Sequence, residues 1–112
     1  MTNSALRLSL SLIAEEFYEV KEAAEKVMEK LWLSPSAVDR DHRAYLLKEV
    51  ADLVYVCHQL AATFDWDLDE AYKRVHASNM SKLGTDGNPI YREDGKILKG
   101  PNYFLPNLFD LV

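Results

Sequence analysis

Two groups of carboxylates have a spacing that could bind a metal ion. Glu15, Glu16 and Glu19 lie in one segment, and Glu49 and Asp52 lie three residues apart in a second. On an α-helix, residues three apart point in similar directions, so each segment would present oxygen atoms on one side of its helix. Carboxylates without cysteine or histidine ligands suit Mg²⁺ or Mn²⁺ better than Zn²⁺. The spacing therefore favours a hard divalent cation as the partner of these side chains.

The same carboxylates have two simpler interpretations. Lysines are interspersed among the glutamates of the first segment, as on a solvated helix face whose charges pair along the helix. The second segment is otherwise apolar on nearly all sides, and an unpaired carboxylate buried there would be costly. Glu49 and Asp52 could instead form buried salt bridges with Lys48, Arg43 or Arg74.

Two long helices are predicted to position these groups. Apolar residues recur at steps of three and four from about residue 4 to 32, until Leu33-Ser34-Pro35-Ser36 interrupts the pattern. The polar residues 36–42 could form a short helical turn. From residue 43 to 64 the apolar side chains point in almost every direction, which is typical of a helix that is buried or lies at a subunit interface.

A third helix is predicted from Asp67, which has Glu70 three residues further on, to about Leu83, with its end at Gly84. Asn79 falls in the middle of the apolar stripe that would face inward, and Lys82 lies at its edge. Both polar groups are therefore candidates for contact with a ligand as well as for ordinary hydrogen bonding.

The tail, residues 84–112, contains glycines and prolines and has no helical period. Ile90-Tyr91-Arg92 and Ile97-Leu98 flank Asp94-Gly95, which predicts a small hairpin. Lys96, Lys99 and Tyr103 lie in this tail, where they could face a phosphate ligand bridged by metal to the acidic helices.

The composition limits the class of protein. A chain of 112 residues is predicted to form one domain over 1–112, too short for a Rossmann or TIM-barrel enzyme. The net charge of −5 argues against nucleic-acid binding. The single cysteine, Cys57, favours a reducing, cytoplasmic setting. The apolar run of residues 5–14 is short and interrupted, so no membrane association is predicted.

Two motifs resemble those of a known family. Glu15-Glu16-Phe17-Tyr18-Glu19 followed by Glu49-Val50-Ala51-Asp52 is similar to the EExxE and ExxD motifs of the MazG-like all-α nucleoside triphosphate pyrophosphohydrolases. That superfamily includes phosphoribosyl-ATP pyrophosphohydrolase. Residues 76–83 and 86–103 also resemble its small single-domain members. The likeness extends over most of the chain.

The resemblance implies a reaction and the residues that carry it. Members hydrolyse a nucleoside or deoxynucleoside triphosphate to the monophosphate and pyrophosphate, by attack of metal-activated water on the α-phosphorus. The expected cofactor is Mg²⁺, with Mn²⁺ as a substitute. The residues expected to bind the metal are Glu16, Glu19, Glu49 and Asp52. The expected catalytic residues are Glu15 and Glu16. The residues expected to face the nucleotide are Asn79, Lys82, Lys96 and Tyr103.

The resemblance also implies an all-α, MazG-like helical bundle that oligomerisation completes, with an irregular tail. A homotetramer is favoured and a dimer is the alternative, because the helix over residues 43–64 has too much apolar surface for one short chain to cover. Two other functions stay open. One is phosphoribosyl-ATP hydrolysis, and the other is a helical interaction module without enzyme activity.

Overall fold

A computed structural model describes residues 1–34, 36 and 40–112. The described chain is mostly helical, which confirms the all-α prediction. The elements are α1 (Asn3–Leu33), α2 (Arg40–Thr63), α3 (Leu68–Met80), β1 (Ile90–Tyr91), β2 (Ile97–Leu98) and a 3₁₀ turn (Phe109–Leu111). Of the helical turn predicted for residues 36–42, residues 37–39 lie outside the described part, and residues 40–42 are the start of α2.

The first helix matches its prediction closely. The Thr2 side chain accepts a hydrogen bond from the backbone N–H of Ala5 at 3.2 Å and caps the amino end. At the other end, the backbone N–H of Ser34 donates to the Lys30 carbonyl at 2.8 Å. The helix therefore ends one residue beyond the predicted boundary.

The chain divides into two compact units, Met1–Phe64 (the N-terminal unit) and Asp65–Val112 (the C-terminal unit). In the N-terminal unit, α1 and α2 pack side by side along their lengths. One pocket is lined by residues 5–12 together with residues 59–63, and another by residues 23–26 together with residues 41–45. The start of α1 thus lies beside the end of α2, so the pair is antiparallel. The predicted single domain over 1–112 stays a prediction.

Few apolar side chains are buried in the described part of the chain. They are Ala23, Val56 and Ala61. Phe17 is 55% exposed and Leu47 is 69% exposed, although the sequence pattern placed Phe17 on an inward stripe and Leu47 in a helix enclosed on all sides. The two helices meet through small residues, and a pair of helices has no third layer to cover their remaining faces.

The third helix begins as predicted and ends earlier. The Asp67 carboxylate accepts a hydrogen bond from the backbone N–H of Glu70 at 3.0 Å. The helix stops at Met80, because the chain then turns so that the backbone N–H of Gly100 donates to the Lys82 carbonyl at 2.7 Å. The predicted helix end at Gly84 is wrong: Gly84 instead begins a turn in which its N–H donates to the Asn88 carbonyl at 2.8 Å.

The face that α3 turns inward also differs from the prediction. Ser78 is buried, whereas Asn79 and Tyr72 are exposed. The Ser78 hydroxyl donates to the Phe104 carbonyl at 2.7 Å, and the Phe104 N–H donates to the Ser81 hydroxyl at 3.1 Å. The tail backbone therefore selects the serine face of α3, and the predicted inward position of Asn79 is wrong.

The predicted hairpin is present. Strands β1 and β2 are antiparallel, with Ile90 opposite Leu98 and Tyr91 opposite Ile97. Gly95 adopts a φ of 89°, a left-handed conformation that suits glycine in a tight turn. None of the helices in the described residues is both long enough and apolar enough to cross a lipid bilayer.

Candidate metal centre

Four carboxylates meet at the middle of the antiparallel helix pair. They are Glu16 and Glu19 of α1 and Glu49 and Asp52 of α2, here called the acidic cluster. Each contributes one oxygen atom, and these atoms all lie within 4.8 Å of one another. The three-residue spacing on each helix aligns two carboxylates on one side, and the antiparallel packing brings the two pairs together. All four residues that the resemblance selected as metal ligands are therefore neighbours.

Glu49 is the most enclosed member of the acidic cluster. It is 1% exposed, and it is the largest fully buried side chain in the described part of the protein. Its Oε2 atom and the Oε2 atom of Glu16 are buried and accept no hydrogen bond. A buried carboxylate oxygen without a donor is costly and rare in native proteins. The two atoms are thus suited to bind a cation.

Repulsion within the acidic cluster changes the protonation of Glu19. A side-chain hydrogen bond with Glu49 and the negative charge of Glu16 raise the pKa of Glu19 from 4.5 to about 7. The protonated carboxyl of Glu19 can donate to a neighbouring carboxylate, whereas the ionised form cannot. A proton therefore compensates part of the negative charge near neutral pH, in the place where a metal ion would compensate more of it.

Lys48 provides a further positive charge. Its Nζ atom lies 2.8 Å from Asp52 Oδ2 and 3.3 Å from Glu49 Oε1. Of the salt-bridge partners that the sequence suggested for these carboxylates, Lys48 is the one that the structure brings to them. Arg74 pairs instead with Glu70 and Asp110 within the C-terminal unit. One ammonium group does not neutralise four carboxylates, so the salt bridge does not replace the metal interpretation.

The donor set fits a magnesium ion. All the clustered ligand atoms are carboxylate oxygens, which is the ligand type that Mg²⁺ and Mn²⁺ prefer. Two of the oxygens are buried without a hydrogen-bond donor, and this is the observation on which the fit depends. Glu15 is exposed and is not among the four clustered residues.

Tyr45 connects the acidic cluster to a neighbouring pocket. The negative charge of Glu49 and a hydrogen bond with it raise the pKa of the Tyr45 phenol. The pocket has a volume of about 490 Å³ and is lined by Ala23, Lys26, Asp41, His42 and Tyr45. The Lys26 ammonium lies 6.0 Å from the centre of the Tyr45 ring. The sequence reasoning missed Tyr45, although its position four residues before Glu49 places it on the same helix face.

The four residues expected to face the nucleotide all lie in the C-terminal unit. Asn79 is exposed at the end of α3, and Lys82 is half-buried just after it. Lys96 is exposed, and its carbonyl accepts a hydrogen bond from the Arg92 N–H in the hairpin at 2.7 Å. The ring of Tyr103 lies 4.9 Å from the Lys99 ammonium. Their contact with a substrate stays a prediction.

Comparison with known proteins identifies the family. The model of the family described as phosphoribosyl-ATP pyrophosphohydrolase matches residues 1–79. The matched span includes α1, α2 and the whole acidic cluster. The chain belongs to this family. The resemblance of the two acidic motifs to this superfamily is thereby confirmed, while residues 80–112 lie beyond the match to the phosphoribosyl-ATP pyrophosphohydrolase family.

A relative of the chain is found in a giant virus. It carries the name "Uncharacterized protein L479" and comes from Acanthamoeba polyphaga mimivirus. The two sequences are 28% identical over an alignment of 137 positions, which includes 91% of this chain and 53% of the relative. The chain thus spans about half the length of the curated relative that it matches. That relative's name states no activity.

Proposed function

We propose that this protein hydrolyses a nucleoside or deoxynucleoside triphosphate to the monophosphate and pyrophosphate with the help of Mg²⁺. The observation that supports this most is the acidic cluster, with two buried oxygens that accept no hydrogen bond. Membership of the phosphoribosyl-ATP pyrophosphohydrolase family indicates an enzyme of the pyrophosphohydrolase type. Glu16, Glu19, Glu49 and Asp52 would hold the ion.

A bound Mg²⁺ ion would supply positive charge that offsets the triphosphate, polarises the α-phosphorus and lowers the pKa of an attacking water. Glu16 has a buried oxygen that is free to accept a proton from that water, and Glu15 is exposed one residue away. Either glutamate can serve as the base. Mn²⁺ should substitute for Mg²⁺, because both accept oxygen ligands.

The C-terminal unit would bind the nucleotide. Lys82 and Lys96 offer positive charge to phosphates, Asn79 offers an amide, and Tyr103 offers an aromatic ring. Because residues 80–112 lie outside the family match, these contacts are a property of this chain's own tail. Deletion of residues 84–112 should weaken substrate binding more than it weakens metal binding.

A second candidate substrate is phosphoribosyl-ATP, which is the compound in the family's description. The acidic cluster does not distinguish it from a triphosphate, because both reactions break the bond between the α- and β-phosphates. The two candidates are separated by substrate recognition and not by metal chemistry.

The experiment that tests the function is a substrate panel. The full chain would be incubated with Mg²⁺ and each nucleoside triphosphate, deoxynucleoside triphosphate or phosphoribosyl-ATP, and products would be identified by ³¹P NMR and anion-exchange chromatography. We expect monophosphate and pyrophosphate from at least one triphosphate. Orthophosphate as the only phosphate product would contradict attack at the α-phosphorus. Cleavage of phosphoribosyl-ATP alone would favour the second candidate.

We further propose a homo-oligomer, with a tetramer favoured over a dimer. The support is the apolar surface of the helix pair: Leu47 of α2 is 69% exposed and Trp32 of α1 is 89% exposed. Surface of this kind on small helical proteins is commonly buried by association. Light scattering should give a mass of about four chains of 12.8 kDa. A monodisperse, active monomer would contradict this assembly.

A further inference from the structure

Lys48 occupies a particular position among the cluster residues. Its ammonium lies within 3.3 Å of oxygens from both α2 members of the acidic cluster, Glu49 and Asp52. It precedes Glu49 by one residue and Asp52 by four, so it reaches both along its own helix. The ammonium therefore contacts the α2 carboxylates that are expected to bind a metal ion.

A divalent cation and the Lys48 ammonium compete for the same oxygens. Both are positive, so they repel each other when they share the Asp52 and Glu49 carboxylates. The ion carries twice the charge of the ammonium and can interact with all four carboxylates, whereas the ammonium contacts two. Metal binding should therefore displace Lys48.

The side chain of Lys48 can move at little cost. It is 61% exposed, and ion pairs of exposed lysines contribute little to stability. Its flexible stem would keep the displaced ammonium within one side-chain length of the acidic cluster. A lysine at this place is a point charge suited to bind a phosphate oxygen.

We propose that Lys48 is an exchangeable counter-ion of the acidic cluster, which holds Glu49 and Asp52 in the metal-free protein, leaves them when a divalent cation binds, and then binds a phosphate of the substrate. This inference rests on the proposed metal-dependent function. It assigns to Lys48 a positioning role without metal and a substrate-binding role with metal.

Calorimetric titration of the full chain with MgCl₂ tests the first half. Measurements at pH 8, above the pKa of Glu19, keep that carboxylate mostly ionised. Lys48→Met removes the charge and keeps the length of the side chain. It should bind Mg²⁺ about five-fold more tightly than the wild type, which is the effect expected for the loss of a competing ion pair. It should also melt at a lower temperature than the wild type in EDTA and at the same temperature in saturating Mg²⁺.

Lys21→Met is the matched control. Lys21 is an exposed lysine of α1, and its substitution changes the net charge of the protein by the same amount. It should leave Mg²⁺ affinity close to that of the wild type. If Lys21→Met tightens binding as much as Lys48→Met does, the effect comes from overall charge and the counter-ion role is wrong. Unchanged or weaker Mg²⁺ binding by Lys48→Met also overturns it.

The second half is tested with α,β-methylene analogues of the four deoxynucleoside triphosphates at saturating Mg²⁺. Lys48→Met should bind these analogues about ten-fold more weakly, and Lys48→Arg should restore much of the affinity. Equal affinity of the wild type and Lys48→Met would overturn the phosphate contact and leave the proposed function intact. Failure of the wild type to bind either Mg²⁺ or Mn²⁺ would contradict both the inference and the proposed function.

Discussion

The carboxylates of the N-terminal unit and those of the C-terminal unit have opposite surroundings. In the C-terminal unit, Arg74 binds Asp110 through two hydrogen bonds, and Arg92 binds Asp94. These contacts lower the pKa values of both aspartates. In the N-terminal unit, other carboxylates raise the pKa of Glu19 to about 7.

The difference separates structural from functional charge. Paired carboxylates such as Asp110 fasten the tail to α3, and they need no further ligand. A cluster that keeps like charges together costs stability and is typical of a functional site. The same residue types thus have different roles according to whether cations surround them.

The largest effect expected is on catalysis. Asp52→Asn removes one charge at nearly constant volume from the acidic cluster, and it should lower Mg²⁺-dependent triphosphate hydrolysis at least about 100-fold, more than the loss of a residue that only supports a ligand. Steady-state assays with the preferred substrate measure this. Asp110→Asn is the matched control, since it removes an equivalent charge from a paired aspartate. It should retain turnover and lower the melting temperature. Equal turnover losses in the two variants would remove the distinction between the units.

A second prediction concerns the packing of the C-terminal unit. A β-carbon on Gly100 would lie 2.6 Å from the Lys82 carbonyl oxygen, so Gly100→Ala must push the tail away from the end of α3. We expect a loss of about 1–3 kcal/mol in the free energy of unfolding, as for overpacked sites. Urea denaturation measures the loss, and Mg²⁺ affinity should stay unchanged.

Gly87→Ala is the control for this substitution. Gly87 has a φ of 80° and nothing within 4 Å of a β-carbon, so alanine there meets only backbone strain of about 1 kcal/mol. A Gly100→Ala variant that unfolds no more easily than Gly87→Ala would show that the close approach to Lys82 is not required.

The third prediction is the pH dependence of the metal-free protein. Glu19 binds a proton more tightly in the folded protein, where its pKa is about 7, than in the unfolded chain, where it is 4.5. The stability that it contributes is therefore complete below about pH 4.5 and falls as the pH rises to about 7. Melting temperatures in EDTA should show this decline, and Glu19→Gln should flatten it. Glu22→Gln, on the exposed surface of α1, should leave the decline unchanged.

The smallest effect is expected in acid, and it has the opposite sign. Asp94 has a lowered pKa because of its hydrogen bonds with Arg92 and the Lys96 N–H. The stability that Asp94 contributes is present above its ordinary pKa of 3.8 and is lost as the pH falls through the lower folded value. Asp94→Asn should reduce this acid sensitivity slightly, and 1 M NaCl should reduce it in the wild type, because the pair is exposed to solvent. Acid unfolding followed by circular dichroism measures both, and an Asp94→Asn variant with wild-type acid sensitivity would contradict the prediction.

The sequence predicts the features that depend on local spacing. The bounds of α1, the hairpin around Gly95 and the pairing of Glu16 with Glu19 follow from residues close together in the chain. Lys48 could also be found in this way, because it lies four residues before Asp52.

Features that depend on distant residues could not be predicted. The face of α3 is selected by hydrogen bonds from Ser78 and Ser81 to the backbone of Phe104, 26 and 23 residues further along the chain. The early end of α3 depends likewise on Gly100. The exposure of Phe17 follows from how many layers the fold contains, which no helical period encodes.

The antiparallel pairing of α1 and α2 makes the acidic cluster a gauge of helix register. Each helix contributes two carboxylates, and a slip of α2 by one turn would move its pair by about 5.4 Å. This is more than the 4.8 Å within which the four oxygens now lie. A cation that needs ligands from both helices can bind in one register only. Since few apolar side chains lock the two helices together, the concentration of free divalent cation should set how often they are correctly aligned.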